Sequence, residues 1–149
     1  MNIESTIRDM SLSLVQAYAR SHVVYDVIDR DLPLVDLNAS GRLYVWSGAS
    51  SSSIYPSAEC NWLFRGHHDT LHLETGLRFD YEGELELTKR GITELGLSTS
   101  PLLERLYWID NVGQQLYYYK HGYFPVNQLA FAISAWNDPY YNEGQHIHD

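Results

Sequence analysis

The chain has 149 residues, 44% of them hydrophobic, with twelve tyrosines and four tryptophans; this is enough apolar and aromatic surface for one packed core and too much for a disordered chain. Ten basic against nineteen acidic side chains give a net charge of −9, which disfavours attraction to the phosphate backbone of a nucleic acid or to an anionic membrane surface. A single cysteine, Cys60, rules out an internal disulfide and a cysteine-rich zinc site, so any metal must rely on histidine and carboxylate.

The opening stretch, MNIESTIRDMSLSL, carries acids and no long apolar core, so it fits neither a signal peptide nor a transmembrane span. Its apolar residues Ile7, Met10, Leu14 and Ala17 recur every three or four positions, which predicts a helix over residues 3–20. The character then changes. β-Branched runs, a proline and an Asn-Ala-Ser-Gly turn separate LPLVDL from RLYVW, predicting two short strands, read as a hairpin, near residues 33–47. GASSSSIYPSAE reads as a flexible loop.

From Ser57 onward the pattern is helical. Ser57 is placed to cap a helix running to about Glu74, with Gly76 to stop it; a second fits Glu82 to Leu95 before Gly96. Ser100 ahead of Pro101 opens a third that can continue to His121, where Gly122 ends it, and a last one fits Val126 to Trp136. The reading is a mostly α fold of four to five helices in a single domain over residues 1–149, with a small two-stranded β element, and a cytoplasmic protein.

The chemistry concentrates in NWLFRGHHDTLH, residues 61–72. At about 100° per residue, Asn61, Arg65, His68, Asp69 and His72 form one stripe flanked by Phe64, Leu71, Trp62 and Leu73, whereas His67 falls on the far side. Large apolar flanks place that stripe at the centre of the buried face, with His67 pointing outward. In the next helix Glu86, Lys89, Arg90 and Thr93 share the wet face and Glu84 lies opposite, pointing inward. Inward charges are costly unless they pair or bind a cation, so the two sets are expected to meet.

His68 and His72 have the i, i+4 spacing that lets two imidazoles hold one cation, and Glu84 would complete a His-His-carboxylate set. Zn, Mn or Fe suits such ligands. Asp69 is a candidate fourth ligand, ligand orienter or base, and Arg65 a partner for an anionic substrate group or a carboxylate. The spacing resembles the HExxH of zinc peptidases, but Asp69 stands where that motif has Glu. An ion-pair network of Arg65, Asp69 and Glu84 with the histidines as hydrogen-bond partners is the metal-free alternative.

Taken together, Asn61, Phe64, Arg65, His68, Asp69, His72, Gly76, Phe79, Gly83 and Glu84 resemble a pattern of short uncharacterised proteins of tailed bacteriophages and prophages. The resemblance implies a phage source, and with it the cytoplasm of the host cell. The expected function is a small metal-dependent hydrolase acting on a phosphoester or nucleotide, a small anionic substrate. The alternative is a non-catalytic acidic protein that binds and inhibits a host defence or nucleic-acid enzyme. Two signals stay outside this reading: the aromatic cluster Tyr117 to Tyr119, which suits a protein contact or a packed helix end, and the terminal His146 and His148, which can add ligands by folding back.

Overall fold

A computed structural model describes residues 2–30 and 43–142. The first element is α1 (Ile3–Arg20), opened by Asn2, whose side chain accepts from the Ser5 backbone N–H. Its apolar stripe buries Ile7, Leu14, Ala17 and Tyr18. Two three-residue strands follow, β1 (Asp26–Ile28) and β2 (Tyr44–Trp46), paired in parallel with Val27 opposite Val45. The RLYVW strand is therefore present, but its partner is not a hairpin neighbour. It comes from the earlier HVVYDVI run, because a parallel pair is joined by a crossover rather than a tight turn. The LPLVDL segment lies outside the described residues.

Helix α2 (Ala58–Thr75) begins where Ser57 accepts from the Cys60 N–H and ends where Gly76 takes a left-handed φ of 71°. Helix α3 (Tyr81–Leu95) is capped by Asp80, which accepts from the Gly83 N–H at 2.8 Å, and stopped by Gly96. Its Lys89–Glu86 and Arg90–Glu94 pairs lie exposed on the outer face, while Glu84 is buried. The turn between α2 and α3 presses on the start of α3. A Cβ at Gly83 would overlap the Arg78 carbonyl oxygen, which is backbone and cannot rotate away. Gly83→Ala is thus expected to cost about 1–3 kcal/mol in a denaturant melt.

The helix expected over residues 100–121 is present but not regular. It runs as α4 (Pro101–Trp108), a π-helical turn over Ile109–Gly113 and α5 (Gln114–His121), ended by Gly122 at φ 83°. The Asn111 side-chain amide donates to the Tyr107 carbonyl at 2.7 Å, giving that carbonyl a partner beside the widened turn. Helices α6 (Gln128–Ala135) and α7 (Pro139–Asn142) complete the described chain and pack on the π turn. The core forms between α1, the loop before α2, the α4–π segment and α6, with Tyr18, Ile54, Tyr107, Ile109 and Ala132 buried in it. The fold is mostly α, and no helix among the described residues is long and apolar enough to cross a membrane.

The serine-rich loop is built in rather than loose. Arg65 of α2 donates to the carbonyls of Trp46, Gly48 and Ala49, Trp62 Nε1 to the Ser47 carbonyl, and Asn61 to Ser50 Oγ. From the other side Arg8 donates to the Tyr55 carbonyl at 2.6 Å. Composition suggested flexibility because the serines carry little apolar surface; the order comes from donors on the neighbouring helices.

Candidate metal centre

Helix α2 is covered on more sides than a two-faced helix. Helix α1, strand β2 and α3 all pack against it, and Gly66 sits under the Tyr25 ring, where a Cβ would come within 2.6 Å of that ring. This corrects the expected orientation of His67. Its side chain is buried, its ring stacks on Tyr18 with centroids 5.0 Å apart, and its Nε2 lies 3.0 Å from the Tyr107 hydroxyl. The stripe predicted as inward is graded: Asn61 and His72 are buried, whereas Arg65, His68 and Asp69 are half-buried.

His68, His72 and Glu84 do meet. His72 Nε2 lies 2.8 Å from Glu84 Oε1 and 3.2 Å from His68 Nε2, and His68 Nε2 lies 3.2 Å from Glu84 Oε2. Exposure orders the three: 16% of the His68 side chain reaches solvent against 1% for His72 and 3% for Glu84, so the cluster opens on the His68 side. Phe79 stacks on the His72 ring at 3.7 Å between centroids and seals it.

The tautomer of His72 follows from its other nitrogen. Nδ1 lies 2.8 Å from the Leu77 carbonyl oxygen, which can only accept, so Nδ1 carries a proton and donates it. In the neutral ring Nε2 then presents a lone pair, and it faces a carboxylate oxygen at hydrogen-bond distance. Two acceptors in contact repel, so a proton or a cation is required between them. Ligand bonds of about 2.1 Å separate ligand atoms by about 3.0 Å at right angles and about 3.4 Å at the tetrahedral angle. The observed spacings fall near that range, and the three side chains form a group able to hold a metal ion.

Charges respond to this packing. Burial alone would raise the Glu84 carboxyl, but His68 and His72 pull it down to about 2. Burial works to lower His68, yet the adjacent Glu84 carboxylate prevails and raises it above its ordinary value. Burial likewise raises Asp69, opposed by His68 and His72. His67 is pushed down to about 4, first by burial and then by His68, so it stays neutral through the physiological range.

The cluster forms one wall of a cavity of about 220 Å³ that His68 and Glu84 share with Arg65, Phe79 and Phe124. Asp69 does not line it. Arg65 does, although the guanidinium also spans the loop carbonyls of residues 46–49. The π turn adds two residues to the site: Asp110 and Asn111 line this cavity, and Asp110 is buried with its carboxyl pushed up to about 6, chiefly by burial. An acid inside an otherwise apolar helix, in YWIDNV, was the available signal. The aromatic cluster divides: Tyr117 packs edge-on against Phe131, while Tyr118 stacks on Phe124 at the cavity and Tyr119 is exposed. His146 and His148 lie outside the described residues.

Comparison with protein-family models, with curated proteins and with solved structures gave no match to this chain.

Proposed function

We propose that His68, His72 and Glu84 hold a divalent cation, Zn, Mn or Fe, and that the chain is a small metal-dependent hydrolase of a phosphoester or nucleotide. The observation that carries this reading is the contact between His72 Nε2 and Glu84 Oε1, two acceptors held 2.8 Å apart while the Leu77 carbonyl fixes the ring proton on the opposite nitrogen. Such a carbonyl behind a ligating imidazole is the usual device for orienting a metal ligand. A cation at this point supplies Lewis-acid polarisation and brings the pKa of bound water toward about 7.

The chain's own residues fit an anionic substrate. Arg65 puts a permanent positive charge on the cavity wall, and a bound cation would outweigh the Glu84 charge. Asp69, outside the wall, acts on His68 through its charge. The metal-free network is the second reading, favoured by the opposite shifts of His68 and Glu84, which describe an ion pair complete without metal.

Proton and cation compete for the same ring nitrogens, and this separates the readings. Below the raised pKa of His68, metal affinity is expected to fall about tenfold per pH unit, because at least one proton must leave for each ion bound. Calorimetric titration in two buffers of different ionisation enthalpy counts that proton. Hydrolysis of bis(p-nitrophenyl) phosphate with Zn²⁺ or Mn²⁺, abolished by chelator and by Glu84→Gln, tests the activity. Metal uptake without any metal-dependent cleavage of phosphomonoester or phosphodiester would remove the hydrolase reading and leave a binding site.

A further inference from the structure

Asp110 has no ion-pair partner among the described residues, yet it is 7% exposed in the middle of a helix. Buried carboxylates are costly unless their oxygens are satisfied, and here both are. The Tyr55 hydroxyl donates to Oδ2 at 3.0 Å and the Gln114 amide to Oδ1 at 3.1 Å. Tyr55 has one hydroxyl proton and gives it to Asp110, so the Tyr18 hydroxyl, 2.8 Å away, must be the donor to Tyr55. The chain of bonds has one direction, from Tyr18 through Tyr55 to Asp110. It reaches across α1, the loop before α2 and the π turn, and it ends at a carboxylate on the wall that also carries His68 and Glu84.

An Asn of the same shape would fill the helix without a buried charge. What the carboxylate adds is a proton acceptor, held by two donors, with a second lone pair left on each oxygen, in a residue that lines the same cavity as His68 and Glu84. A π turn in an otherwise regular helix frequently marks such a placement. We infer that Asp110 is the proton-transfer residue of this site and that Tyr55 and Tyr18 are positioning residues behind it; the inference rests on the metal-site reading above. In the reaction a water O–H bond breaks and its proton passes to an Asp110 oxygen, while the water oxygen bonds to the electrophilic phosphorus. The bond to the leaving oxygen then breaks, and that oxygen takes the proton from Asp110, which returns to its ionised form.

The charged and titratable groups around Asp110 are His68 and Arg65 of α2, Glu84 of α3 on the same cavity wall, Tyr55 of the loop, Tyr18 of α1 and Tyr107 three residues earlier in its own helix. Burial raises the Asp110 carboxyl, and the Tyr55 hydrogen bond, then His68, the Gln114 hydrogen bond and Arg65 partly offset it, leaving a pKa of about 6, close to where a residue that both takes and gives a proton works best.

The test is the pH titration of the visible absorption of Co²⁺ bound to the full chain, which needs no substrate. Wild type is expected to bind Co²⁺ and to show a pH-dependent spectrum. Asp110→Asn should bind Co²⁺ comparably and move the midpoint downward by about one unit or more, because the carboxylate charge no longer holds the proton on solvent. Tyr55→Phe, which keeps the ring and removes the donor, should move the midpoint by a smaller amount. Asp69→Asn removes a nearby charge outside the cavity wall and should move it less than half as far as Asp110→Asn. A spectrum that titrates identically in wild type and Asp110→Asn, that titrates in neither, or that Asp69→Asn shifts as far overturns the inference while leaving the metal site standing. If Asp110→Asn does not fold, an unshifted midpoint in Tyr55→Phe overturns it. Wild type that takes up no Co²⁺ overturns the metal reading and this inference with it.

Discussion

His72→Ala is expected to weaken Zn²⁺ or Mn²⁺ binding by about 100-fold or more, losing a ligand outright where even loss of a ligand's hydrogen-bond partner costs 10–100-fold. Two terms must be kept apart in reading this variant. Without metal, the substitution strands the Leu77 carbonyl, removes one of the two imidazoles against Glu84 and uncovers the face of Phe79. Each unsatisfied buried group costs about 1–3 kcal/mol, so the variant melts lower even in chelator. The metal-dependent increment is what discriminates. At a free metal concentration 100-fold above the wild-type Kd, binding adds about 2.7 kcal/mol to wild type. At the same concentration a 100-fold weaker variant gains only about 0.4 kcal/mol. Melts of both proteins with chelator and with metal read the two terms separately, and equal increments would remove His72 from the ligand set.

His67→Ala is expected to do the reverse: a loss of about 3 kcal/mol in stability with metal binding unchanged. The ring fills a space between α1 and α4, stacks on Tyr18 and leaves the Tyr107 hydroxyl without this partner when removed. Its titration gives a second signature. The folded-state pKa of about 4 lies below the ordinary value of 6.5, so between those values the unfolded chain takes up a proton that the folded one refuses. The His67 contribution to stability therefore falls as pH drops from about 6.5 to about 4, by up to about 3 kcal/mol, and is level above that window, while the raised carboxyl of Asp110 works in the opposite direction as pH falls through about 6. Glu84 acts in a lower window. Its carboxyl is held at about 2, below the ordinary 4.5, so its contribution is complete above about 4.5 and is lost as pH falls through about 2. Urea unfolding of both proteins at pH 7, 5 and 4 isolates the His67 contribution, because Asp110 and the other groups titrate in both: the stability advantage of wild type over His67→Ala should shrink by up to about 3 kcal/mol across that range. A variant as acid-sensitive as wild type over that window would show that His67 is not the residue responsible.

His67 also marks where sequence reasoning stops. The helix ends were legible because capping is local: Ser57, Gly76, Gly96 and Gly122 satisfy or terminate helices by chemistry within a turn of themselves. The cluster of His68, His72 and Glu84 was legible because the i, i+4 spacing fixes two rings on one face and Glu84 stands opposite the Lys89 and Arg90 face of its helix. The outward placement of His67 assumed one packed side for α2. Helices α1 and α3 pack on it from different directions, and no single-helix pattern encodes that. The parallel partner of β2 was hidden for a similar reason, since the pairing of Val27 with Val45 spans a crossover. Asp110 stands in the sequence as an acid among the apolar residues of YWIDNV, but its direction depends on a π turn that shifts the 3.6-residue period midway. The role of Arg65 on the loop carbonyls likewise depends on three oxygens that carry no side-chain signature.

The central claim is that a cation sits where His72 Nε2 and Glu84 Oε1 now face one another. Its most direct test is calorimetric titration of chelator-treated, tag-free wild type with Zn²⁺ and with Mn²⁺ at pH 7.5. One equivalent of at least one ion should bind, with release of a proton, and the loaded protein should melt higher than the chelated one. No saturable binding of either ion, together with one melting temperature in every condition, would contradict the claim and leave His68, His72 and Glu84 as an ion pair that holds α2 to α3.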